Sequence, residues 1–325
     1  MGYYLLRRLL YAFPILIGIN LITFSLFFMV NAPEDMARLH LGEKHVTLDL
    51  IEQWKVQHGY AYPLFYNNKA QGLKKFTQSL FYQKSVLLFS FKFGLSDSGR
   101  DIGYDITHRA FPSLSIAIPT LFIGLLINIG LAMLMAYYRG TYLDTSSVVI
   151  CIALMSISGL FYIISGQYIF AKLCRWFPIS GYDSGISALK FISLPIIVAV
   201  LANLGAGARW YRALFLEQMH QDYVKTARAK GLSETQVLFK HVLKNALLPI
   251  LTGIVVILPS LFMGSLVLES FFGIPGLGSY MIDAIGQQDF AIVRAMVFLG
   301  SVLYIVGLIL TDLTYVLVDP RVRLA

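Results

Sequence analysis

Long apolar runs alternate with short polar segments along this chain, and the length of the runs sets the first expectation. Crossing the hydrocarbon core of a bilayer as a helix takes about 20 apolar residues. Six stretches reach that length, at roughly 9–30, 112–136, 147–171, 191–209, 248–270 and 293–317. They lack the two-residue alternation of barrel strands, and backbone in lipid must satisfy its own hydrogen bonds, so they predict helices. The expected fold is all-α and integral to a membrane. It has a tail and first helix over 1–30, a long non-spanning segment over 31–111, and a five-helix core over 112–325.

One polar segment, 209–247 between the fourth and fifth runs, has a helical period of its own. Leu216, Met219, Tyr223 and Ala227 recur at three- and four-residue steps and share one face, while Lys225, Arg228 and Lys230 occupy the other. Gly231 follows as a residue that adopts a left-handed conformation at little steric cost. Ser233 with Gln236 reads as a capping box, and Leu232 with Val237 as its hydrophobic staple. The segment predicts helix, tight glycine turn, helix. Pro249, with no N–H, predicts a bend before the next span.

In the 31–111 segment, Val46, Leu50 and Trp54 stand at four-residue steps and predict a helix over 46–58. Residues 80–93 are apolar but interrupted by Lys84 and Lys92, which suits a surface-lying element better than a span. After the fifth run, Glu269-Ser-Phe-Phe-Gly-Ile-Pro-Gly-Leu-Gly-Ser-Tyr contains Gly273, Pro275, Gly276 and Gly278, which break a helix into turns. Broken backbone at membrane depth is tolerated where protein buries it or where it lines a cavity. These residues are candidates for a pathway or gate, with a purely structural cap as the alternative.

Composition agrees: 57% of residues are hydrophobic and 14% charged, with a mean hydropathy of +0.68. The net charge of +8 is informative through its location. Arg7, Arg8, Arg139, Arg209, Arg212, Lys225, Arg228, Lys230, Lys240, Lys244, Arg321 and Arg323 fall on one set of alternating segments, against Lys172, Arg175, Lys190 and Arg294 on the other. The positive-inside rule therefore places both termini and the 209–247 loop in the cytoplasm and makes 31–111 extracytoplasmic. Topology accounts for the cations, leaving no call for nucleic acid as a partner. The first run, at about 22 residues, exceeds a signal peptide's h-region and reads as an uncleaved helix. Cys151 and Cys174, 23 residues apart, would stand about 35 Å apart along a helix, far beyond disulfide reach.

Catalytic motifs are missing. There is no GxxxxGK[ST] phosphate loop, no HExxH, no CxxC and no GxSxG elbow. The histidines give only the weak pair His40 and His45, so no metal site is expected. His241 and Asn245, one helical turn apart, suggest hydrogen bonding at the hairpin. Glu269 and Asp312 lie near span ends, where water or headgroups could reach them. Asn20, Asn128 and Asn203 are the polar groups nearest mid-span, suited either to helix–helix hydrogen bonds or to solute contact.

Taken together, the residues resemble the membrane-spanning permease subunits of ATP-binding-cassette importers, in the dipeptide/oligopeptide/nickel branch. The resemblance is carried by Tyr223-Val-Lys-Thr-Ala-Arg-Ala-Lys-Gly-Leu-Ser233 with His241, Asn245-Ala-Leu247 and Pro249, similar to that branch's EAA-type loop. It extends to the opening Leu-Arg-Arg-Leu of residues 6–9, Phe177-Pro-Ile-Ser-Gly181, Phe272-Gly-Ile-Pro-Gly-Leu-Gly278 and the closing Val318-Asp-Pro-Arg-Val-Arg323. Departures are Lys225-Thr226-Ala227 at the general Glu-Ala-Ala positions and Asn31-Ala-Pro-Glu-Asp35 where the branch has a Pro-Gly-Asp-Pro turn.

The resemblance implies a non-catalytic subunit of the bacterial inner membrane that binds no cofactor itself. Its partners would be a second homologous permease, two ATPase subunits that use ATP and Mg, an extracytoplasmic solute-binding protein, and membrane lipid. Tyr223, Thr226, Ala227, Arg228, Ala229, Lys230, Gly231, Leu232, Ser233, His241 and Asn245 would form the ATPase-coupling element. Small Ala227 and Ala229 would permit close approach, and Arg228 and Lys230 would pair with acids on the partner. The solute would be a peptide or a related small molecule. An ion-gradient-driven secondary transporter is the alternative. It predicts paired broken helices in the two halves and an intramembrane acid relay, whereas here one interrupted element and no mid-span carboxylate are expected.

Overall fold

The computed structural model describes residues 2–42, 46–68 and 70–318. In chain order its main helices are α1 (Gly2–Val30), α2 (Pro33–Leu41), α3 (Leu48–Gln57), α4 (Ile102–Tyr137), α5 (Tyr142–Met155), α6 (Gly159–Gly166), α7 (Ala188–Met219), α8 (Asp222–Ala229), α9 (Leu243–Leu261), α10 (Leu266–Phe272), α11 (Leu277–Gly286) and α12 (Phe290–Val318). Among the described residues no strand forms beyond an isolated bridge between Leu95 and Asp101. Most of the closing motif, with Arg321 and Arg323, and His45 lie outside the described residues.

Among the described residues five helical stretches are long and apolar enough to cross a membrane: Arg7–Val30, Ile102–Tyr137, Gly185–Met219, Glu234–Leu261 and Phe290–Thr314. The expected third span is not straight. Tyr142–Met155 and Gly159–Leu173 meet at 89°, and the pair makes a sixth span if taken as one. The cause is local. Ser156 Oγ donates to Ile152 O (2.9 Å), closing α5, while Ser158, in extended backbone, caps α6 by accepting from Phe161 N (3.3 Å). Hydropathy averaged over a window does not register two serines.

Other boundaries move too. The expected fifth span ends at Leu261 instead of 270, because Gly264 turns left-handed (φ +67°) before α10 begins. Conversely α9 runs unbroken through Pro249, so the proline does not end the helix. The irregularity lies upstream, in a π-helical turn at Val237–Val242. Helix α4 starts at Ile102 and continues through Pro112 and Pro119; its 36 residues span about 54 Å, more than a hydrocarbon core requires.

Two compact units divide the chain, residues 1–108 with 281–305 and residues 109–280 with 306–324. The first has an aromatic core in which Phe24 and Phe28 of α1 meet Met36, Ala37, Ile51, Trp54, Tyr60 and Leu80. On α3 the buried positions are Ile51 and Trp54, and Val46 packs against the same core; of the expected stripe only Leu50 is exposed, its place taken by Ile51. Trp54 stacks on His40, His58 and Tyr60. Tyr60 Oη donates to Asp97 Oδ1 (2.8 Å), and Asp289 accepts from the Asp97 amide (3.0 Å). Burial first, and then the neighbouring Asp97 charge, raise the Asp289 carboxyl above its usual range.

In the second unit, small residues let backbones close on one another, as they do wherever lipid removes the hydrophobic drive for helix association. Gly166 faces Val198, Gly205 faces the Cys151 carbonyl, and Gly207 faces Asn128. Arg212 donates twice to Asp144 (2.8 and 2.7 Å), pinning α7 to α5. Both cysteines are free, with Cys151 buried and Cys174 exposed. At Gly205 a methyl group would meet the Cys151 carbonyl oxygen, backbone that cannot swing aside. We expect Gly205→Ala to cost about 1–3 kcal/mol, read as a lower Tm of the purified chain in detergent. An unchanged Tm would mean that α5 and α7 do not pack this closely.

Candidate functional site

The glycine-rich stretch after α9 is organised around Glu269. This carboxylate is 1% exposed, which corrects the expectation that water or headgroups reach it. Its Oε1 accepts from the Ser265 amide (3.1 Å) at the start of α10, and its Oε2 from the Gly278 and Ser279 amides (2.8 and 3.1 Å) in the first turn of α11. Ser113 on α4 donates its hydroxyl to the same carboxylate and accepts from the Leu277 amide (2.8 Å). The first amides of a helix have no intrahelical acceptor and carry partial positive charge, so a buried anion is held where two helices begin. Gly264 and Gly276 lie so close that a Cβ on either would strike the carboxylate, and one on Gly278 would meet the Ser265 backbone at 2.7 Å.

Gly273 caps α10 in the left-handed region (φ +64°). Beside it, the Gly181 amide donates to Phe272 O (2.8 Å), and Gln167 Nε2 donates to both Ile179 O (3.0 Å) and Phe271 O (2.9 Å). The Phe177–Gly181 and Phe272–Gly278 motifs, about 90 residues apart in sequence, are therefore one structure. Pro275 is exposed, while Gly276 and Gly278 are buried. Sequence reasoning singled out Glu269 and the glycines but missed Ser113, Gln167 and Gly264. Gly264-Ser265 carries the residue types of a turn followed by a helix start.

A cavity of about 800 Å³ lies against this knot, walled by α4, α7 and α9. Its lining is mostly apolar, with Trp210 and Tyr211 among it, and includes Glu269. Thr120 Oγ1 and Asn128 Oδ1, both on the lining, are buried without hydrogen-bond partners, so they keep hydrogen-bonding capacity for something in the cavity. Asn203 also lines it, its Nδ2 donating to Ala199 O (2.9 Å) within α7. Asn20 is different: its Nδ2 donates to Ser85 O (2.9 Å) and ties two elements together.

The hairpin is built largely as its sequence reads. Gly231 takes φ +79°, and Ser233 and Gln236 exchange both capping-box bonds (3.3 and 3.4 Å). Val224, Ala227, Val237, Leu238, Val242 and Ala246 are buried with Ala132, Ala136 and Phe215 in one cluster, against which Leu216, Met219, Tyr223 and Leu232 pack. Ala227 therefore faces its own protein, and a close approach by a partner is left to Ala229, which is exposed with Thr226, Lys230 and Ser233. Arg228 is already engaged, donating to Glu234 twice (2.7 and 3.1 Å) across the Gly231 turn. Lys225 likewise pairs with Asp222, whose carboxyl it holds below the usual range. Asn245 donates to the His241 carbonyl (2.9 Å) and not to its ring.

A multi-pass helical protein with a walled cavity, broken backbone beside it and a capped polar hairpin has the parts of a transport subunit. The chain belongs to the binding-protein-dependent transport system inner membrane component family, whose model matches residues 128–324. The model of that component's N-terminal region matches residues 1–89. The chain is 29% identical to the oligopeptide transport system permease protein AppB of Bacillus subtilis, over 99% of this chain and 100% of the relative. Over 76% of this chain and 79% of the relative, it is 32% identical to the dipeptide transport system permease protein DppB of the same organism. It is 29% identical to the glutathione transport system permease protein GsiC of Shigella flexneri, over 98% of each. The chain is thus a multi-pass permease subunit of an ATP-binding-cassette importer in the inner membrane, working with an ATPase and a binding protein. The second break, at Ser156–Ser158, is the kind of feature a secondary transporter would show, yet family membership decides against that alternative.

Glu269→Gln replaces one acceptor with a donor facing backbone N–H groups. Each buried group left unpaired costs about 1–3 kcal/mol, so the variant should insert in the membrane but lose uptake and melt at lower temperature. Gly276→Ala should do the same by displacing the carboxylate. Wild-type uptake and Tm in both would show that Glu269 does not hold this element together.

Proposed function

We propose that this permease forms one half of a pathway for peptides or a related small solute, facing a second homologous permease and driven by two ATPase subunits seated on the 209–247 hairpin. Those ATPases use ATP and Mg, and this chain contributes no catalytic group and binds no cofactor. Both termini and the hairpin are cytoplasmic, and a solute-binding protein delivers its cargo to the opposite side, where residues 31–111 lie. The names of the relatives support the solute class, since oligopeptides, dipeptides and glutathione share a peptide backbone. Thr120 and Asn128 suit a solute with amide donors and acceptors.

The observation that carries the coupling reading is the hairpin's rigidity. A capping box, a left-handed glycine and a cross-turn ion pair fix its tip, and its base is part of the core that α4, α7 and α9 share. Load applied to such a tip displaces the helices behind it as bodies, which is the movement alternating access needs. Arg228 braces the tip from within, and exposed Lys225, Thr226, Ala229, Lys230 and Ser233 are the surface offered to the ATPase. Glu269, Gly273, Pro275, Gly276 and Gly278 shape the mouth of the pathway.

Gly231→Pro demands φ near −65° where the chain has +79° and removes the amide that donates to Arg228 O (2.9 Å). In the reconstituted complex it should abolish solute-stimulated ATPase activity and uptake while the protein stays in the membrane; wild-type rates would remove the coupling assignment. A cysteine at exposed Pro275 should change its labelling rate between nucleotide-free and ATP-trapped complexes. An identical rate in both would remove the mouth assignment.

A further inference from the structure

The first unit holds a smaller pocket of about 220 Å³, lined by Lys84, Lys92 and Arg294 and by no acidic residue. Arg294 lies one turn inside the membrane-crossing stretch of α12, is 4% exposed, and keeps Nη1 buried without a hydrogen-bond partner. Its Nε donates to Phe290 O (3.2 Å), its Nη2 reaches Tyr60 Oη at 3.5 Å, and its guanidinium lies 5.0 Å from the centre of the Phe28 ring. Lys84 donates to His58 O (2.8 Å) and lies over the Tyr60 ring. Of the neighbouring carboxylates, Asp97 accepts from Tyr60 Oη through Oδ1 and keeps Oδ2 buried without a hydrogen-bond partner, while Asp289 accepts from backbone amides. Among the described residues neither pairs with Arg294 or Lys84 within 4.0 Å.

A buried guanidinium, a half-buried ammonium and an exposed one at the rim face a pocket that no carboxylate lines, with Asp97 and Asp289 acting on Lys84 only from farther away, so no anion meets these cations inside the pocket. Burial first, and then the repulsion of Arg294, lower the Lys84 ammonium to about 8. Sites for drug-sized ligands occupy about 300–1,000 Å³, so this pocket suits a compact anion and not the transported solute. Its position suggests the source. Arg294 marks the start of a span, while exposed Phe91 and Leu95 flank the Lys92 rim and can meet acyl chains. We propose that Lys84, Lys92 and Arg294 bind a phosphate group, supplied by the headgroup of a phospholipid at the membrane boundary. This rests on α12 crossing the membrane and not on the solute or coupling assignments.

The test is native mass spectrometry of the full-length chain, stripped of lipid in detergent and titrated with phosphatidylglycerol, with a diacylglycerol of the same chains, and with inorganic phosphate. The wild type should retain one phosphatidylglycerol that Lys84→Gln/Lys92→Gln binds about tenfold more weakly, and should not retain the diacylglycerol. Lys92→Gln alone changes only an exposed side chain, so a several-fold loss is expected even where the double variant misfolds. Equal affinity in wild type and Lys92→Gln, or equal retention of the diacylglycerol, overturns the site. Retention of inorganic phosphate in place of the lipid overturns the lipid as its source.

Discussion

A carboxylate buried where lipid or protein excludes water is costly unless every lone pair is met, and Glu269 meets that condition with backbone amides from two helix starts and one serine hydroxyl. The arrangement fixes more than the charge. It sets where α10 begins, where α11 begins and how the intervening turn passes Ser113. It also accounts for the glycines, since a side chain at Gly264 or Gly276 would occupy the carboxylate's own volume. Without the anion these helix ends would present unpaired amides to a cavity wall.

The hairpin obeys a different economy. Its tip is stabilised by contacts a few residues apart: Ser233 with Gln236, Arg228 with Glu234, Gly231 with Arg228. Its base is stabilised by burial, with Phe215, Val224 and Val242 fully enclosed. Local bonds make the tip's shape independent of what it meets, and burial ties that shape to the long helices. A surface loop held only by solvent-exposed charges would have neither property.

That contrast explains what was legible in the sequence. The apolar runs, the Gly231 turn, the capping box and the breaking power of Gly273 to Gly278 depend on near neighbours, and all four are present in the fold. The links depending on distant partners were invisible: Gln167 bridging two loops, Ser113 reaching Glu269, Arg212 reaching Asp144. The Arg228 ion pair was hidden because an exposed cation looks free until Glu234, six residues away across a turn, is placed beside it. Leu50 failed for a related reason, and Pro249 does not stop its helix. Periodicity does not say which of two adjacent stripes is buried, and proline is tolerated in spans where neighbouring groups satisfy the freed carbonyl.

Helix α9 joins the two organised regions. It leaves the hairpin's buried base through the π-turn at Val237–Val242, runs from Leu243 to Leu261 without a break, and ends three residues before Gly264, which lies against the Glu269 carboxylate. Nineteen helical residues carry a displacement about 28 Å, roughly the hydrocarbon thickness. Both ends are irregular, with a π-turn at one and a left-handed glycine at the other, while the middle walls the cavity through Gly253, Val256 and Ile257. A stiff rod between two points of conformational slack moves as a body when one end is pushed. Load on the proposed coupling tip would therefore be felt by the cavity wall and by the carboxylate knot together, because one helix serves both.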